Sequence, residues 1–188
     1  MHTEFLNILN DVSPLSDTSK LLLSEYIQVK KVRKKDFLLN YGETCKHIYF
    51  INEGFLRIFY YKNSKDITEW FAKEKHFCFS ISSYFEEIPS KLIIEALEDS
   101  EILAISKVGF EKLRRTNLDV ANLFIELISG SLIGSQIRMD SIQFETAEQR
   151  YTNLLKDQPE ILKVVPLQYV ATYLGITKET LSRIRAKE

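Results

Sequence analysis

The stretch VPLQYVATYLGITKETLSRIRAKE (165–188) decides how this chain is read. Pro166 suits the start of a helix, where its missing N–H costs nothing. Val170, Ala171 and Leu174 then recur at helical spacing on one face. Gly175 follows, the residue that most cheaply adopts the left-handed conformation closing a helix. Thr177 is placed to cap a second helix, with Glu179 in its first turn near the positive end of the dipole. On that helix Leu181 and Ile184 point inward together, whereas Lys178, Glu179, Ser182 and Arg183 share a polar face. A small residue (Ala171), a glycine four later and an apolar residue six after that form the packing skeleton of a helix-turn-helix. An ordinary helical hairpin with solvated charges has the same caps, and spacing alone leaves it open. The polar face favours the first reading. Arg reads guanine bidentately, Glu accepts from the cytosine amino group, and Lys reaches guanine or phosphate. All of them sit near the start of the second helix, the part that enters a major groove.

The whole chain is less telling. It has 188 residues, 45% hydrophobic and 27% charged, with a formal charge of -1. That describes an ordinary globular protein of one large domain, or a domain plus a small module. A near-neutral total does not exclude a polyanionic partner, because the distribution of charge decides. From Thr177 onward Lys178, Arg183, Arg185 and Lys187 stand against Glu179 and Glu188. Two cysteines make no disulfide framework. No uninterrupted apolar run approaches about 20 residues, and the N-terminal MHTEFLNILNDV lacks a signal pattern, so the expectation is a cytoplasmic protein with no membrane partner. An enzyme is the weakest class: no glycine-rich phosphate loop, nucleophile elbow or metal-hydrolase motif is present.

In chain order, Thr3–Leu9 and Ser16–Ile27 read as short helices, the second capped by Ser16 or Asp17. From about Val29 to Ile105 short runs rich in Phe, Tyr, Ile and Val are separated by turn residues. HIYFI (47–51) and FLRIFYY (55–61) flank Asn52-Glu53-Gly54, which reads as a hairpin. Asn63-Ser64 precedes ITEWF (67–71), and Asp99-Ser100 separates LIIEAL (92–97) from EILAI (101–105). Many short antiparallel strands predict a sandwich or barrel. The basic run Lys30-Lys31-Val32-Arg33-Lys34-Lys35 reads as a solvated sheet edge, where lysines block unwanted pairing; contact with DNA or a partner protein is the alternative. Ser106 and Asn117 are placed to cap two helices, the second running without proline from Leu118 to about Phe144. Read as heptads, Leu118, Ile125, Leu132 and Met139 share one position, and Ala121, Ile128, Ser135 and Ile142 its partner. Val120, Phe124 and Leu127 form a second stripe. One stripe would pack on the barrel and the other on the same helix of a second subunit; a helix wholly buried in one chain is the alternative. Gly130 and Gly134 weaken the helix but permit close approach of another backbone. Thr146-Ala147-Glu148-Gln149 matches a capping box and starts a further helix to about Lys156.

Barrel, long helix, capped boundary and helix-turn-helix together resemble the Crp/Fnr superfamily of bacterial transcription regulators. The resemblance runs through Gly42-Glu43, YFINEGFLRIFY (49–60), EALEDSEILAIS (95–106), AEQRY (147–151) and, most specifically, YLGITKETLSRIR (173–185). It implies an α+β chain in three parts: a cyclic-nucleotide-binding-like jelly-roll sensor barrel (1–116), a dimerisation helix (117–145) and a minimal helix-turn-helix module (146–188). It also implies a homodimer on double-stranded DNA, with RNA polymerase a candidate partner and an unidentified small-molecule effector in the barrel. The family's Arg, Glu and Arg readers fall on Lys178, Glu179 and Arg183, so the first is a substitution. Thr177, Ser182, Arg185 and Lys187 complete the expected DNA-contacting set, the last three favouring phosphates.

Members of the family that bind cyclic nucleotides hold the phosphate with Gly-Glu-Leu and a later Arg followed by Ser or Thr. The corresponding stretch here, FCFSISSYFEEIPSKLIIEAL (77–97), contains neither; Ser90-Lys91 stands at the second place. Glu86, Glu87 and Glu95 are expected to repel an anion. Cyclic AMP is therefore not the expected effector, and Phe79, Ser80, Ser90 and Lys91 are the candidate pocket residues. The aromatic residues of this region read as barrel core, or as an apolar ligand pocket if the barrel is hollow. No cofactor or resident metal is expected. Cys45-Lys46-His47 and His76-Phe77-Cys78 would suit zinc only if their strands were adjacent and all four groups converged. The alternative to the whole reading is a ligand-binding or protein-interaction module. In that case the helix-turn-helix, with little flanking surface beyond it, no longer reads DNA.

Overall fold

The computed structural model describes residues 2–186. Two helices open the chain, α1 (Thr3–Val12) and α2 (Asp17–Ser24), followed by strands β1 (Ile27–Val32), β2 (Phe37–Leu39), β3 (His47–Glu53), β4 (Phe55–Lys62), β5 (Lys65–Lys73) and β6 (Phe77–Cys78). The short helix α3 (Ile81–Glu86) precedes β7 (Ile93–Ala96) and β8 (Ser100–Ser106). The rest is helical: α4 (Lys107–Thr116), α5 (Leu118–Phe144), α6 (Ala147–Asp157), α7 (Ile161–Val164), α8 (Leu167–Tyr173) and α9 (Lys178–Arg185).

The strands form two four-stranded antiparallel sheets, ordered β1-β8-β3-β6 and β2-β7-β4-β5. Eight strands alternating between two facing sheets make a jelly roll, open at its edges rather than closed. The predicted turn at Asn52-Glu53-Gly54 therefore is not a hairpin. β3 and β4 lie in different sheets, and Gly54 is the corner between them. Its φ of 107° and a virtual Cβ 2.1 Å from Ser100 Oγ explain why only glycine fits. Asp99-Ser100 is a similar crossing, since β7 and β8 also belong to opposite sheets. Asn63-Ser64 is a true hairpin: both residues have positive φ, and Lys62 faces Lys65. The second predicted helix stops at Ser24, releasing Ile27 into β1. That strand is a sheet edge, so the basic run occupies the place assigned to it.

Capping follows the sequence where side chains reach. Ser16 accepts from the Ser19 amide, Thr177 from the Thr180 amide, and Thr146 with Gln149 forms the reciprocal box at the start of α6. Asn117 instead donates back to the Leu113 carbonyl, tying α4 to α5. Two apolar cores result. The larger fills the jelly roll beneath α1, α2, α4 and the first turns of α5. The smaller centres on Val170, Ala171, Leu174, Leu181 and Ile184 and recruits Phe55, Phe71 and Leu97 from the sheet.

α5 meets both. Val120, Leu123 and Phe124 are buried at its start, which accounts for the second stripe. Its predicted seam is mostly bare: Leu118 is 78% exposed, Ile125 58% and Leu132 70%, with Met139 and Ile142 exposed too. Ala121 and Ile128 are half-buried, and Ser135 is exposed. By length and composition α5 could cross a membrane, although Asp119, Glu126, Arg138 and Asp140 interrupt its apolar residues. Its ends argue for another use of the apolar face. Asp119 is tied to Ser16 and Ser19, and Arg138 donates to the Tyr173 carbonyl while stacking 3.9 Å over that ring.

Candidate nucleic-acid interface and effector cavity

The helix-turn-helix forms as its spacing predicts. Val170, Ala171, Leu174 and Leu181 are essentially inaccessible and Ile184 nearly so. Gly175 sits at φ 70°, the left-handed conformation the turn requires. Thr177, Lys178, Glu179, Ser182, Arg183 and Arg185 are all exposed on α9; Lys187 lies outside the described residues. The Arg183 guanidinium donates to Thr180 Oγ1 at 3.2 Å, which leaves most of its donor fork free. Glu179 is held below the usual carboxylate range, first by its own backbone N–H and then by the Thr177 hydroxyl and neighbouring cations. A rigid helix thus presents one anionic acceptor between cationic donors, matching the hydrogen-bonding groups of a base-pair edge.

The helix-turn-helix module is seated on the jelly roll through α8 and the β4–β5 face. Alternation along β4 separates two roles. Phe55, Arg57 and Phe59 point toward the helix-turn-helix, while Leu56, Ile58 and Tyr60 point into the jelly roll. Arg57 is 1% exposed, an unusual state for a charged side chain. Its Nε donates to Thr68 Oγ1 at 2.8 Å, and its terminal nitrogens pair with Asp66 at 2.7 Å and Glu95 at 3.7 Å. The guanidinium lies 3.5 Å from the centre of the Tyr169 ring on α8 and 4.3 Å from that of Phe59. Beside it the Thr68 and Thr172 hydroxyls are 3.0 Å apart, and Phe71 meets Tyr173. Burial pushes the Glu95 carboxyl up, against the pull of Arg57. Sequence reasoning missed this cluster. Its signal was present: FLRIFYY is nearly continuous rather than alternating, the pattern of a strand covered on both faces.

The opposite face of β4–β5 bounds a cavity of about 990 Å³. Ile8 and Val12 of α1, Ile58 and Tyr60 of β4, Trp70 of β5, Phe77 and Phe79, and Leu127 of α5 supply its apolar surface. Of the four predicted pocket residues, Phe79 and Lys91 line it. Ser80 and Ser90 do not. They are buried and bonded to each other at 2.9 Å, and Ser90 also serves the backbone of Leu92. The expected repulsion from Glu86, Glu87 and Glu95 is also misplaced, because none of the three borders the cavity. Glu87 pairs with Lys107 and Glu95 with Arg57. The acids that do border it are Glu69 and Glu126, beside Lys75, His76 and Lys91. Surrounding protein pushes the Glu69 carboxyl above its usual range, Arg138 opposing.

β3 and β6 do pair, with Tyr49 opposite Cys78. Among the described residues no three His, Cys, Asp or Glu side chains converge as metal ligands. Burial pushes both thiols up.

Residues 29–117 match the model of the cyclic nucleotide-binding domain. The chain as a whole carries the fold of the Crp/Fnr regulators. A transcriptional regulator assigned to that family from Eubacterium rectale superimposes with a TM-score of 0.74 at 20% identity, covering 94% of this chain and 83% of that one. FixK2 from Bradyrhizobium japonicum gives 0.74 at 19% identity, over 86% of this chain and 83% of its own. The Thermus thermophilus catabolite activator protein gives 0.59 at 22%, over 96% and 85%. Among curated proteins, the cAMP-dependent protein kinase regulatory subunit of Debaryomyces hansenii is 23% identical over 120 residues, 64% of this chain and 26% of that protein. Its Candida albicans counterpart is 24% identical over 115 residues, 60% of this chain. The chain spans about a quarter of the length of these curated relatives.

Proposed function

We propose that this protein is a DNA-binding transcription regulator that works as a homodimer, in which the jelly roll senses a small molecule and α9 reads base edges. The observation that carries this reading is the recognition face itself: Lys178, Glu179, Ser182 and Arg183 are exposed on a helix fixed by a buried skeleton. Lys178, Glu179 and Arg183 specify bases; Thr177, Ser182, Arg185 and Lys187 hold phosphates. The bare seam Leu118, Ile125, Leu132, Met139 and Ile142, flanked by Ala121, Ile128 and Ser135, takes the same helix of a second copy. A twofold pair presents two reading helices to major grooves about 34 Å apart. The division at 116/117 and 145/146 separates sensor, seam and reading module. Binding, not catalysis, is the chemistry these surfaces serve, with DNA, a second copy and RNA polymerase as partners in the cytoplasm.

The β4–β5 layer supplies the coupling. Ile58, Tyr60 and Trp70 face the cavity, and Arg57, Thr68 and Phe71 on its other side hold α8. An occupant that shifts this layer shifts the reading helix, a coupling free energy between two sites. The cavity holds no arginine for a phosphate, so cyclic AMP remains an unsuitable effector.

A gel-shift with fragments from the protein's own promoter region, run against excess competitor DNA, tests the reading. Retention of a discrete fragment is expected. Complete competition by random DNA would favour an interaction module whose helix-turn-helix no longer reads sequence, a reading for which the curated kinase regulatory subunits offer a parallel.

A further inference from the structure

The cavity has one wall that its own packing does not explain. Glu126, Leu127, Gly130, Ser131, Gly134 and Ser135 of α5 border it. Glycine in the middle of a helix weakens it, and such positions normally answer to a crowded neighbour or a positive φ. Neither applies here. A Cβ added at Gly130 meets nothing within 4 Å, and one at Gly134 meets only the Trp70 ring edge, at 3.9 Å. Gly109 shows the contrast: its added Cβ would strike the Tyr26 ring at 2.0 Å. The glycines at 130 and 134 lie one helical turn apart and leave a notch that borders the cavity. Trp70 stands beside Gly134, and Tyr60, Phe77 and Phe79 also line the cavity. The cationic groups at its border, Lys75 and Lys91, are solvent-exposed and have no ion pair among the described residues.

We propose that the cavity binds a flat aromatic compound with one acidic group, its ring seated at the open Gly130 end of the notch beside Trp70 and its acid at the lysine-bearing border. This rests on the reading of the cavity as the effector site and names the class of effector. Aromatic rings opposite a notch favour a rigid planar body over a flexible chain, because ring–ring contacts add to simple burial and little rotational freedom is lost. Lys75 and Lys91, set against Glu69 and Glu126 on the same border, suit no more than a single carboxylate, and a cyclic phosphate would lack a guanidinium fork. Contact with α5 places the ligand on the helix that also carries the subunit seam.

Three probes decide it by titration calorimetry on the full chain: 2-naphthoate, decanoate and cyclic AMP. The chain's single tryptophan lines the site, so Trp70 emission reports occupancy independently. Expected are saturable 2-naphthoate binding at least tenfold tighter than either other probe, and loss of at least tenfold in Gly130→Leu, which fills the notch. Gly130→Leu should melt no lower than the parent, because leucine is the better helix former. Trp70→Ala should weaken 2-naphthoate in the same way if Gly130→Leu fails to fold. Equal binding of decanoate or cyclic AMP, or 2-naphthoate binding unchanged in both variants, overturns the proposal. If 2-naphthoate binds as described but leaves DNA affinity untouched, the ligand class stands and the effector reading falls. If cell extract alters DNA affinity while 2-naphthoate does not bind, the ligand class falls and the effector reading stands.

Discussion

Arg183 and Arg57 are two arginines set to opposite uses. Arg183 keeps most of its donors free on an exposed helix, so Arg183→Ala should remove about 1–3 kcal/mol of specific binding at a read guanine while barely affecting binding to random DNA. Fluorescence anisotropy on both kinds of duplex measures the difference; equal losses on both would reduce Arg183 to a phosphate contact. Arg57 is committed to Thr68, Asp66, Glu95 and the Tyr169 ring. Removing one partner of a buried ion pair strands the other, so Arg57→Ala should cost about 3 kcal/mol in denaturant unfolding. The smaller core should loosen first, since Tyr169 loses its cation. An unchanged unfolding midpoint would mean that this cluster does not hold the module in place.

At the scale of elements, α5 has an anchored start and an uncovered middle. Asp119 receives the Ser16 amide and hydroxyl, the Ser19 hydroxyl and the Val120 amide. Burial raises its carboxyl, but these hydrogen bonds outweigh it and the net shift is downward. A carboxylate depressed on folding contributes stability that is full above its unfolded value of about 3.9 and lost as pH falls through the lower folded value. Asp119→Asn should thus cost about 1 kcal/mol at neutral pH, allowing for solvent screening, and that cost should vanish in strong acid. Thermal melts across pH check both. Along the bare seam, Ile125→Glu and Leu132→Glu together should convert dimer to monomer in sedimentation velocity while each changes folding stability by no more than about 0.5 kcal/mol. A large loss of stability in the monomer would instead make the stripe internal packing.

Across the whole molecule, local signals were legible and layer assignments were not. Caps at Ser16, Thr146 and Thr177, the left-handed Gly175 and the span of α5 depend on neighbours a few residues away, and the sequence carries them plainly. Gly54 shows the limit. A glycine with turn residues before it signals a reversal of direction, but whether the next strand pairs with the last or crosses to the facing sheet depends on distant partners. For the same reason Ser80 and Ser90 read as ligand donors until each other's hydroxyl was found to occupy them. Arg57 stands as one charge in an apolar run, and nothing local reveals its partners, which come from β5, β7 and α8. The exposed polar face of α9 needed no distant partner, only a buried opposite side.

The account stands on two reading helices held a fixed distance apart. Selection of bound duplexes from a random pool, sequenced after several rounds, measures this directly. The predicted outcome is a near-palindrome whose half-sites are centred about 10–10.5 base pairs apart, bound by two chains. An unenriched pool, or a single half-site bound by one chain, would contradict it.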